Sequence, residues 1–245
     1  EKSGSSCSRA LSQYGMINGM VLPVITFPTV LTDSYSMLLI PEFSTYVAQN
    51  NYKAINFIAN KIFKVTCAFS MCICSIFFIF SNDLGLAIYN NIETGYFFKV
   101  FTPFIFFMYM DHIIDCILKG LNKQFGVMCC NILDLSITTC FIYFLLPVLG
   151  IKGYVISIFF SEVLNFSISL FQLFKYSKIK PNFIDWIVVP LTCSLIAYFV
   201  TNVFHFNFVN LTINLIFNIL LFVFVFVSIF IFINFFILKF TSSKE

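Results

Sequence analysis

The chain has 245 residues, 60% of them hydrophobic and only 10% charged, with a formal charge of +3 and a mean hydropathy of +0.94. A soluble domain carries about 25% charged residues, so this composition belongs to a polytopic membrane protein. Arg9 is the only arginine, and with no basic run the chain has nothing to offer nucleic acid.

Residues 1–10 read as a short polar loop on the outer side. The sequence opens at Glu1 with no initiator Met and no signal-peptide pattern, so it reads as a piece of something longer. A spanning helix needs about 20 mostly apolar residues. Seven segments qualify: 16–40, 62–80, 97–118, 127–147, 153–174, 186–204 and 211–238. The breaks between them are "EFSTYVAQNNYKAINF", "SNDLGLAIYNNIETGY", "KGLNKQFG", "LGIKG", "KYSKIKPNFID" and "HFNFVN". Pro23 and Pro28 predict a bend in the first span, and Pro41-Glu42 predicts its end. Gly150 and Gly153 predict a tight turn between the fourth and fifth spans. Asn210, Asn214 and Asn218, at helical spacing, predict a packing seam between the last two helices.

Lysine and arginine set the orientation. Ten fall on one side (Lys53, Lys61, Lys64, Lys119, Lys123, Lys175, Lys178, Lys180, Lys239, Lys244) and four on the other (Lys2, Arg9, Lys99, Lys152). This places the C-terminus in the cytoplasm and residue 1 outside. The nine cysteines mostly sit in apolar runs without a CxxC pair. They read as small buried hydrophobes, not as disulfides or zinc ligands.

The polar residues within the spans form stripes. In the first span Asn18, Thr26, Thr29 and Asp33 fall within about an 80° arc, and in the fourth Asn131, Asp134 and Thr138 within about 60°. The third span carries Asp111 and Asp115, four residues apart on one face, with His112 turned about 100° away. The fifth carries Ser157, Ser161, Glu162, Asn165, Ser169 and Gln172. Two readings compete: polar glue between helices, worth about 1 kcal/mol per bond, or a hydrated cavity lined by spans one, three, four and five. Asp115 precedes Lys119 by four residues, the favourable order for an ion pair. Asp111 lies ~12 Å deeper than Lys119, where a carboxyl is a cavity candidate. Asp134 and Glu162 lie near mid-bilayer, each with an Asn three residues away, Asn131 and Asn165. They read either as neutral acids in interhelical hydrogen bonds or as the site of sodium or proton coupling. Asp33 is a weaker case of the same kind. A metal site needs at least three ligands around one point. His112 has no such set near it, so it reads as a packing or headgroup-contacting residue, and neither a metal nor a cofactor is expected.

Three blocks carry a resemblance. "ALSQYGMINGMVLPVITFPTVLTDSYSMLLIPEFS", "MYMDHIIDCILKGLNKQ" and "NILDLSITTCFIYFLLPVLGIKGYVISIFFSEVLNFSISLFQLFK" resemble the eighth, the tenth, and the eleventh and twelfth helices of the stage V sporulation protein B and polysaccharide-exporter family. This family belongs to the MATE-like superfamily of flippases and exporters. The resemblance covers about residues 10–175, and residues 186–238 match only in hydropathy and position. It implies an all-α integral membrane fold, the C-terminal lobe of a two-lobe transporter, with about seven transmembrane helices. Residues 11–175 would be the lobe, and 176–245 two accessory helices with a cytoplasmic tail.

The implied function is to flip or export a lipid-linked oligosaccharide or cell-wall precursor across the bacterial cytoplasmic membrane by alternating access. A drug or cation antiporter of the same fold is the nearest alternative. A membrane-embedded enzyme is more remote, because neither HExxH nor GxSxG is present. The implied partners are membrane lipid, the lipid-linked saccharide, the missing N-terminal half, and Na+ or H+ as coupling ion. The lipid II flippase relatives bring arginines into the cavity to meet a pyrophosphate; the spans of this chain bring none.

Overall fold

A computed structural model describes residues 7–177, 184–204 and 210–242, with side chains from Ser8 to Phe235. Lys2, Lys178, Lys180, His205 and Lys244 lie outside the described residues, as does the side chain of Lys239. The described residues form helices and no strand: α1 (Cys7–Met16), a π-helical turn (Ile17–Val21), α2 (Leu22–Thr26), α3 (Thr29–Ala48), α4 (Tyr52–Ile79), α5 (Ser81–Tyr89), α6 (Ile92–Gly120), α7 (Gln124–Leu149) and α8 (Ile151–Ser177). A second π-helical turn (Ile184–Val188) leads into α9 (Val189–Val203) and α10 (Leu211–Ser242). Six of these helices, counting the second π-helical turn and α9 together as Ile184–Val203, are long and apolar enough to cross a membrane. The bent pair Ser8–Thr26 and Thr29–Ala48 brings the count to seven. The protein is an all-α, multi-pass membrane protein.

The bend in the first span is 50°, and proline chemistry accounts for it. Pro28 has no N–H to continue the ladder, so nearby carbonyls lose their intrahelical donors. Other donors take them up, as buried backbone in a membrane requires. Thr29 Oγ1 donates to the carbonyl of Thr26 at 2.7 Å. The fully buried Tyr109 of α6 donates its hydroxyl to the Ile25 carbonyl at 2.9 Å. Tyr109→Phe should therefore destabilise the chain by about 1–2 kcal/mol, the cost of one orphaned buried carbonyl. Thermal unfolding in detergent checks this, and a Tyr109→Phe chain as stable as the parent would show that the bend needs no tie to α6.

Two loop expectations differ from the structure. Pro41 lies inside α3 and does not end it. The helix runs on to Ala48 because the "EFSTYVA" segment continues the turn, with Thr45 Oγ1 donating to the Pro41 carbonyl at 2.9 Å. The break shrinks to residues 49–51, where Asn50 takes a left-handed φ of 52°. The second break contains α5, too polar to register as a span. It is closed by Asn90 at φ 51° and followed by Asn91, whose Oδ1 accepts from the Glu93 N–H at 2.8 Å. The helix beginning at Cys7 also enters the segment expected to be loop.

The described residues fall into two units. One takes them from Glu1–Phe63 and Pro103–Pro181, the other from Lys64–Thr102 and Asn182–Glu245, so α4 and α6 each contribute to both. In the first unit α7 packs chiefly on α8, joined by a turn at Gly150 (φ 60°, ψ −139°), a conformation that L side chains rarely adopt. Gly153 then lets α8 pass the α7 backbone closely, since a Cβ there would lie 2.5 Å from the Leu145 carbonyl oxygen. In the second unit Ala68, Cys72 and Ile76 of α4 and Phe80, which caps α5, share a buried cluster with Cys193 and Ala197 of α9 and Phe222 and Phe226 of α10. The four-residue spacing of small residues brings helices together where lipid offers no hydrophobic contrast. Asn218 of α10 is buried and donates to the Asn214 carbonyl at 2.9 Å, while Asn210 Oδ1 caps the helix on the Thr212 N–H.

Candidate functional site

The acids and asparagines of the polar stripes on the first, third, fourth and fifth spans belong to the first unit. On α8 the buried positions recur every four residues: Gly153, Ser157, Ser161, Asn165, Ser169, Leu173 and Ser177. Small and polar, they form one ridge along the helix. Asn165 Nδ2 donates to Asp111 Oδ2 of α6 at 2.9 Å, and both residues are buried. Ser161 Oγ bonds Asp134 Oδ1 of α7 and also meets Thr138 Oγ1. Gln172 Nε2 reaches Cys130 Sγ at 3.0 Å. A polar seam thus joins α6, α7 and α8.

Several expected pairings differ. Asn165 serves Asp111 on another helix and not Glu162, and Asp134 is held by Ser161 and not by its neighbour Asn131, which is exposed. The four-residue ridge aims Asn165 across to α6, whereas Glu162 sits beside the ridge, half-buried. Asp115 is as buried as Asp111, 8% against 7% exposed, and forms no ion pair with the exposed Lys119. It lies on the packed face of α6 with Asp111, one turn from it. Both acids are buried. Asp111 Oδ1, Asp115 Oδ1 and Asn165 Oδ1 have no hydrogen-bond partner, and the Ser169 hydroxyl stands beside both carboxyls without a well-formed bond.

The exposed charge lies elsewhere. Asp33 Oδ1 of α3 and His112 Nδ1 of α6 are 3.0 Å apart, with side chains 44% and 48% exposed. Sequence reasoning missed this pair, because helices distant in the chain supply it and the break at Phe27–Pro28 sets the rotation of α3. The one available signal was that His112 and Asp33 are both off their helices' packing faces. Asn18, on the π-helical turn, accepts a bond of 2.9 Å from the Tyr154 hydroxyl of α8, and Tyr14 packs on the Tyr154 ring at 5.3 Å. That contact ties the first span to α8. Among the described residues no three His, Cys, Asp or Glu side chains converge on a point, and most of the cysteines are buried.

The chain is similar to stage V sporulation protein B of Bacillus subtilis (strain 168), 26% identical over 186 residues that cover 73% of this chain and 34% of that protein. It therefore spans about a third of the relative's length. No family profile and no solved structure matches. The likeness supports the polysaccharide-exporter family that the sequence blocks resemble, and its partial coverage fits a C-terminal half.

Proposed function

We propose that this relative of stage V sporulation protein B forms one lobe of an alternating-access exporter of lipid-linked saccharide, with the Asp33–His112 face of its first unit turned to the translocation path. One observation carries the reading. His112 lies eight residues before the end of α6, ~12 Å along the helix, yet it and Asp33 are half exposed. An Asp–His pair at that depth faces water or protein and not lipid. The path that a sugar headgroup takes across a bilayer is such a surroundings, and a carboxylate beside an imidazole offers both acceptors and donors to hydroxyls. No covalent step is involved; the residues bind and orient.

The buried seam behind that face has a separate part. Asp111 Oδ1, Asp115 Oδ1, Asn165 Oδ1 and Ser169 Oγ are oxygens without full partners, the donor type that a hard cation or a proton satisfies. Coupling to Na+ or H+ would operate there.

In the full-length transporter, Asp33→Asn and His112→Gln should each lower export at least tenfold in a complementation assay, with membrane insertion unchanged. Wild-type export by both variants would remove the Asp33–His112 face from the path. Orientation is tested separately. The exposed Lys123 and Lys152 sit at opposite ends of α7. With the C-terminus cytoplasmic, an impermeant thiol reagent on intact cells should label Lys152→Cys and spare Lys123→Cys. The reverse pattern would invert the topology.

A further inference from the structure

The second unit contains a cavity of about 680 Å³ between α4, α5, α6 and α9, within the ~300–1,000 Å³ range of small-ligand sites. Phe78, Ile79, Phe80 and Leu195 supply apolar wall, and Lys99 and Asp83 supply charge. The cavity runs alongside three spanning helices. It reaches Thr102, ten residues and ~15 Å from the start of α6, which is hydrocarbon depth and not headgroup depth. Lys99 Nζ lies over the Phe78 ring, 4.9 Å from its centre. Among the described residues no carboxylate pairs with it, Asp83 included. Lys99, three residues nearer the start of α6 and exposed, sets a cation beside an apolar hollow nearer the membrane surface, and this calls for an anion attached to a hydrocarbon chain.

We infer that this cavity is a binding site for a bilayer glycerophospholipid, with an acyl chain along α4 and α9 and the phosphodiester on the Lys99 ammonium. The charges on the page select this occupant. Asp83 shares the cavity, so a dianion (inorganic phosphate or a polyprenyl phosphate) meets repulsion that a singly charged phosphodiester largely escapes. Inorganic phosphate, in addition, gains nothing from the apolar wall. The site needs only the multi-pass fold and does not rest on the transport reading.

The test is native mass spectrometry of the full chain in detergent, titrated with dioleoyl phosphatidylglycerol. One lipid should be retained tightly by the wild-type chain and by Lys99→Arg. Lys99→Gln should weaken retention about tenfold, the loss of one charge-assisted contact. Ser194→Phe, which fills the hollow from α9 at a half-buried position, should weaken it similarly. Diacylglycerol and inorganic phosphate should not compete. Unchanged binding by both Lys99→Gln and Ser194→Phe would overturn the site. So would displacement by inorganic phosphate alone, or tighter binding of a polyprenyl phosphate than of phosphatidylglycerol.

Discussion

Gly153→Ala should cost about 2–3 kcal/mol of stability, although alanine is the better helix former by about 1 kcal/mol. The new methyl would sit 2.5 Å from the Leu145 carbonyl oxygen and 2.8 Å from its carbon, and these are backbone atoms that cannot rotate away. The turn offers no slack either, since Gly150 alone separates α7 from α8. The two helices must then splay, and overpacking of this kind costs about 1–3 kcal/mol. Splaying would also pull Ser161 from Asp134. Gly15 in α1 is the control, because a Cβ there meets nothing within 4 Å. Gly15→Ala should be neutral or stabilising. Unfolding by SDS titration in bicelles compares the two, and equal behaviour would mean that the α7–α8 contact is not limiting.

How far the fold could be read from the sequence depended on the length of its signal. The spans were legible because each exceeds the bilayer thickness in apolar residues, and the bend was legible because Pro23 and Pro28 remove donors locally. α5 was not, since nine residues with Asn82, Asp83 and Gly85 give no window long enough to separate from loop. Pro41 misled for a related reason: in a membrane helix a proline's missing donor is tolerated. At the candidate site the stripe on α8 was visible in the sequence, but its partners were not. A period of 3.6 says which residues share a face, and only packing says which helix that face meets. Asn165 therefore looked like a partner for Glu162 and is a partner for Asp111. The Asp33–His112 pair depends on how α3 rotates after the break, a tertiary quantity with no local signature.

The Asp111–Asn165 bond makes the sharpest demand on that packing. Asn165→Leu should destabilise the chain by about 2 kcal/mol, because it removes the donor to Asp111 Oδ2 while Asp111 Oδ1 already lacks one. Bonds of this kind in membranes are often worth less, about 0.6–1.7 kcal/mol; the larger figure applies here because a carboxyl is left without its donor. Asp111→Leu combined with Asn165→Leu should recover most of the loss, since replacing both partners by apolar groups approaches neutrality. Asp115, one turn away and also incompletely bonded, limits the recovery to within about 1 kcal/mol of the parent. Folding and transport then part company. In the full-length transporter the double variant should insert and fold like the parent yet fail to export, because the oxygens that would receive the coupling ion are gone. If it exports normally, the seam is glue between α6 and α8 and the coupling assignment falls. If it stays as unstable as Asn165→Leu alone, Asp111 has a second partner and the pairwise account of the seam is wrong.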